Sequence, residues 1–131
     1  MANPSGRGIT AAGLKVLCRP WPGVVAEIKW ESNLVFSVGD KMFAMISDGE
    51  NGRLSFKVAD ERFLELTDQP GIIPAPYLAR AHWVSIDQPQ HFSTDALQAF
   101  VRDAYSLVRA RLTRKLQATL GPLPPSKAAK K

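Results

Sequence analysis

Few residues in this chain could do chemistry. There are two histidines, His82 and His91, and one cysteine, Cys18, among 131 residues. A lone cysteine excludes an internal disulfide and a thiolate metal cluster within the chain. Set between Leu17 and Arg19, Cys18 reads as a small core residue rather than a reactive thiol. Two histidines without a further ligand motif do not make a metal site. No nucleophile motif pairing a serine or cysteine with its base occurs, and no metalloprotease, Cys-x-x-Cys or glycine-rich phosphate-loop pattern. The expectation is a protein that is not an enzyme, with no catalytic residue, no cofactor and no metal.

Charge is the stronger signal. After Asp103 there is no acidic residue, while Arg109, Arg111, Arg114, Lys115, Lys127, Lys130 and Lys131 are basic. Residues 1–108 hold 10 of the 17 cations and all 12 acids, so the body is near neutral and the excess sits at one end. A basic end points to a polyanionic partner without naming it. Seven cations fully engaged on duplex DNA would give a log–log salt slope near −6, with no sequence preference. A second set is Lys29, Lys41, Arg53 and Lys57, with the aromatic Trp83 among them. Cations interleaved with an aromatic suit a phosphate backbone and a stacked base.

These residues need a scaffold, and the apolar spacing predicts one. Ile9, Ala12, Gly13, Val16 and Leu17 recur at helical intervals, with Thr10 as a cap and Pro20 as the stop. Val24, Ala26, Ile28 and Trp30 then alternate as a strand. Leu34–Val38 and Lys41–Ser47 flank Gly39-Asp40, read as a type II′ hairpin turn. The Asp48–Gly52 loop leads to a strand over Arg53–Val58. Connections this short make an antiparallel meander. Asp60 is expected to cap a short helix to Thr67, with Phe63, Leu64 and Leu66 as its apolar side. Ile72–Ala79, with two prolines, reads as irregular, and His82–Asp87 as a fifth strand. The last helix begins at a Ser93 or Thr94 cap and extends toward Leu120, about 40 Å, projecting its basic half past the sheet.

The fold class expected is therefore α+β: a two-layer arrangement of about five antiparallel strands with helices on one face, in the order α-β-β-β-β-α-β-α. Residues 1–8 are expected to be a flexible N-terminus, 9–120 a single domain and 121–131 a flexible basic tail. No apolar run reaches membrane-span length, and residues 1–9 lack a secretory h-region, which fits a cytoplasmic setting without a membrane partner.

The blocks KMFAMIS (41–47), SFKV (55–58), PAPYLARAHWVSID (74–87) and AYSLVRARL (104–112), with WPGV (21–24) and Trp30, resemble the MmcQ/YjbR family over about residues 9–112. The resemblance implies a small bacterial protein of a CyaY-like α+β fold, described as DNA-binding through a double-wing surface of β-hairpins, with no agreed catalytic site or cofactor. Arg80-Ala81 stands where family members commonly have a more basic lead-in to the His-Trp pair, and the chain beyond Leu112 lies outside the family pattern. The wing tips here would carry Asp40, Asp48 and Glu50, which repel phosphate.

Three readings result. The first is DNA binding through Lys29, Lys41, Arg53, Lys57 and Trp83 on an open sheet face and Arg109, Arg111, Arg114 and Lys115 on a basic helix end. The second is a protein-interaction adaptor anchored by Trp83. The third is small-ligand binding near Tyr77, His82 and Trp83.

Overall fold

A computed structural model of the chain describes residues 6–29, 33–47, 52–75 and 78–121. Trp30, Asp48, Glu50, Tyr77, Lys127, Lys130 and Lys131 lie outside the described residues. The elements run α1 (Ala11–Cys18), β1 (Val24–Lys29), β2 (Asn33–Val38), β3 (Lys41–Ser47), β4 (Leu54–Lys57), α2 (Asp60–Thr67), β5 (Ile72–Pro74), β6 (Trp83–Ile86), α3 (Thr94–Ala110) and α4 (Arg114–Ala118). Among the described residues six strands form one antiparallel sheet in the order β1-β2-β3-β4-β6-β5. The meander is as expected. The extra strand is β5, taken from the proline segment. Among the described residues it lies at the sheet edge and pairs with β6 alone, so Pro74 can forgo an amide donor there.

Alternation decides which residues meet the helices. Leu34 and Phe36 on β2, Ala44 and Ile46 on β3, Leu54 and Phe56 on β4, and Val84 and Ile86 on β6 all join the core. α3 crosses β2, β3 and β4 and contributes Leu97, Val101, Ala104, Tyr105 and Val108; α2 packs on β5 and β6 through Leu66. Each large apolar side chain so buried adds about 1.5–3 kcal/mol. A bulge in β3, opposite Phe36 and Ser37, turns both Phe43 and Ala44 inward. Phe43 then meets Tyr105 edge-on at 5.4 Å and Trp21 at 6.4 Å between ring centres.

Several local expectations change. Thr10 caps α1 by accepting from the Gly13 amide, but Leu14 and Cys18 are its buried pair and Val16 is exposed. The Gly39-Asp40 turn has positive φ at both residues, 58° and 66°, which is type I′ rather than II′. Asp60 lies inside α2 after an Ala59 cap, and Leu64 is 77% exposed. Ser93 caps α3 through the Ala96 amide. The helix does not project to Leu120. Thr113 accepts from the Leu116 amide and starts α4 as a separate element. At this break Leu112 is buried and Gln117 donates to its carbonyl. Residues 6–8 join the fold as well: the Arg7 guanidinium donates to the Gln90 and His91 carbonyls, and the Gly8 amide to Phe92.

The break in the last helix folds α4 back onto the β2–β3 turn. A Cβ on Gly39 would sit 2.8 Å from both Leu112 δ carbons and 2.9 Å from Leu116 Cδ2. Gly39→Ala should therefore lower stability by about 2 kcal/mol, through strain at positive φ and loss of this packing. Thermal unfolding measures it, and an unchanged midpoint would contradict the packing.

Candidate nucleic-acid interface

Strand register divides the expected cations into two groups. Lys29 ends β1 opposite Asn33, and Asn33 in turn lies opposite Ser47. The Ser47 amide donates to the Arg53 carbonyl, so Lys29 and Arg53 sit at one end of the sheet. Lys41 starts β3 and Lys57 ends β4, and the pairing Ala44↔Phe56 places both at the other end, with the Gly39-Asp40 turn. The packing of Leu112 and Leu116 on that turn brings Arg111, Arg114 and Lys115 to the same end. The open face and the helix end are thus not one surface. Lys41 and Lys57 belong with the helix cations, while Lys29 and Arg53 lie across the sheet from them.

The two groups also differ in their partners. Arg53 Nε is 2.6 Å from Asp87 Oδ1, and Lys29 is 3.8 Å from Glu27, so the far end is largely neutralised. Among the described residues no carboxylate pairs with Lys41, Arg80, Arg111, Arg114 or Lys115. Lys57 donates to the Ala81 carbonyl, which draws the exposed Arg80 toward the same end. Burial first, and then Arg111 beside it, lower the Lys57 pKa, while Asp60 opposes them. Arg80 was not among the expected contacts; its signal was its place two residues before His82.

Other expected contacts are corrected. Trp83 is 3% exposed and cannot stack on a base or anchor a partner as it stands. Its amide donates to Leu78 and its carbonyl accepts from Ala75, which fixes it at the start of β6. Arg109 is used inside the fold: it donates to the Tyr105 hydroxyl at 3.1 Å and the Gly121 carbonyl at 2.5 Å. The centre of the open face is dry. Val35, Ser55 and Ser85 are buried there, and the two serine hydroxyls share a 2.7 Å hydrogen bond. Gly39 of the β2–β3 turn packs against Leu112 and Leu116, and the exposed residue beside it, Asp40, is acidic, which disfavours insertion into a groove as a wing.

His82 is not in the strand. It precedes β6 with φ 60°, a conformation most side chains avoid. Its Nδ1 is 2.7 Å from Asp60 Oδ1 and its ring lies 5.1 Å from Phe63. Its carbonyl accepts from the Val58 amide. The residue ties α2 to the sheet, and Asp60 serves that tie rather than a helix cap. Tyr77, its expected neighbour in a ligand site, is outside the described residues.

Cys18 is buried, and burial pushes its thiol up to about 12. Thiolate is then almost absent at pH 8, so the folded protein should resist Ellman's reagent and react fully in denaturant. Ready labelling of the folded chain would contradict this burial.

Among the described residues no group of histidine, cysteine and carboxylate side chains could hold a metal ion. No helix of the described residues is long and apolar enough to cross a membrane.

A family model described as YjbR matches residues 20–107. The fold is similar to the crystal structure of a Deinococcus radiodurans protein with a DUF419 domain, at 29% identity and a TM-score of 0.78, covering 90% of this chain and 91% of that one. It is also similar to a Pseudomonas syringae protein of solved structure, at 18% identity and a TM-score of 0.62, covering 76% of this chain and 98% of that one. No curated protein matches the chain.

Proposed function

This chain belongs to the YjbR family, and on that premise we propose that it is a non-enzymatic DNA-binding protein that holds backbone phosphates with one cationic end of its sheet. Lys41, Lys57 and Arg80 supply the strand side of this surface, and Arg111, Arg114 and Lys115 the helical side. The carrying observation is the gathering of cations without carboxylate partners around the α4-covered turn. Cations that contact only phosphates position a duplex without reading its bases, so binding is non-specific and salt-dependent. Asp40 at the turn trims the field but leaves the cations in excess.

This reading departs from the double-wing proposal in mechanism. It needs neither the dry sheet centre nor a hairpin entering a groove. The adaptor reading loses its anchor with Trp83 buried.

Charge reversal separates the two ends. Fluorescence anisotropy with a short labelled duplex at low salt should show Lys41→Glu/Arg111→Glu weakened by roughly 10–100-fold. Lys29→Glu/Arg53→Glu should bind nearly as the parent protein does. Equal losses from both pairs, or no measurable binding by the parent, would defeat the proposal.

A further inference from the structure

Between α2 and α3 lies a cleft of about 360 Å³ whose apolar walls the DNA-binding reading does not use, although it shares Lys57 with that surface. Its walls include Val58, Leu66, Phe100 and Leu107, so an occupant would meet mostly hydrocarbon. The Phe100 ring stacks on Phe56 at 5.1 Å with only 14° between the planes, and both residues line the space. A flat ring entering here can extend that stack. The volume is at the small end for ligand sites, room for one ring and a short chain and far too little for a partner helix.

The polar groups lining the cleft are few and biased toward positive charge. Lys57 lines it with Arg62, and the one carboxylate present, Asp103, lies 3.8 Å from the Arg62 guanidinium. That pair is long and exposed, so it holds the two helices only weakly and can open. Lys57 has a carbonyl partner but no carboxylate within ion-pair distance among the described residues.

We propose that this cleft binds a small aryl carboxylate, with its ring against Phe100 and Leu107 and its carboxylate on Lys57. The ligand gives Lys57 a carboxylate in direct contact, where Asp60 acts only from a distance, and fills the apolar space in one step. Burial and the neighbouring Arg111 both disfavour the charged form of Lys57, and a bound carboxylate would offset both.

The test uses the full chain, ¹⁵N-labelled, with phenylacetate as probe and phenylacetamide as its neutral isostere. Phenylacetate should shift the amides of Val58, Ala59, Ser106 and Leu107 saturably, with a dissociation constant on the order of 1 mM. Phenylacetamide, and phenylacetate with Lys57→Met, should each bind roughly tenfold more weakly, because the charged contact is lost. Leu107→Trp, at a partly exposed position, should fill the cleft and abolish the shifts. No saturable shift, equal binding of the two probes, or normal binding by Leu107→Trp would each overturn the proposal.

Discussion

Replacing Lys41, Arg111, Arg114 and Lys115 together by alanine should remove most of the salt dependence of DNA binding that arises within the folded body. Four phosphate contacts correspond to a log–log slope of about −4 and to roughly a 100-fold loss of affinity between 50 and 200 mM salt. All four residues are exposed, and no carboxylate among the described residues pairs with any of them. Loss of surface charge alone leaves stability within about 0.5 kcal/mol, so weaker binding would not reflect unfolding. Lys127, Lys130 and Lys131 complicate the reading, because three tail cations add about three counterions of their own. Deleting residues 122–131 should therefore flatten the slope but leave binding measurable at low salt. Should that deletion abolish binding while the fourfold variant keeps the full slope, the tail is the contact and the folded surface is not.

The second large effect is on stability. Tyr105→Ala should cost about 3–5 kcal/mol, the scale for truncating a fully buried aromatic. Tyr105 is 0% exposed on α3, with Trp21 at 5.2 Å and Phe43 at 5.4 Å. Its hydroxyl donates to the Pro22 carbonyl at 2.5 Å and accepts from Arg109 at 3.1 Å. Truncation therefore opens a cavity, unpairs that carbonyl and frees Arg109, which sits over the ring at 5.9 Å. Tyr105→Phe keeps the packing and should cost about 1–3 kcal/mol through the unmade hydrogen bonds alone. Urea unfolding of both variants checks the pair. Equal losses would mean that the ring adds nothing beyond its hydroxyl.

Where the sequence reading succeeded, the signal was local. Period-two alternation in β1 and β4, the apolar runs of β2 and β3 and the short connections between them decide the meander, whatever the rest of the chain does. The Thr10 cap of α1 and the Ser93 cap of α3 were legible for the same reason. The misses turn on competition or on distance. Apolar periodicity continues through Leu112 and Leu116, so a single long helix looks favourable. Thr113, a good capping residue in the middle of that pattern, starts a new helix instead, and Leu112 buries at the joint. β5 was hidden because Pro74 is acceptable only on an edge strand, and edge position depends on β6 inserting beside β4. A type II′ turn needs positive φ at the glycine alone, whereas here Asp40 shares it. For the candidate interface, residue types were legible and their grouping was not. Lys41 and Lys57 join Arg111 only through strand register and the fold-back of α4. Arg53 is neutralised by Asp87, 34 residues further along the chain.

Amide chemical-shift mapping of the full chain with a short duplex at low salt tests the central claim most directly. The account predicts perturbations concentrated at Lys41, Lys57, Arg80 and the run from Arg111 to Lys115, with Lys29 and Arg53 little changed. Perturbations centred on Lys29, Arg53 and the Ser55–Ser85 floor of the sheet would contradict it.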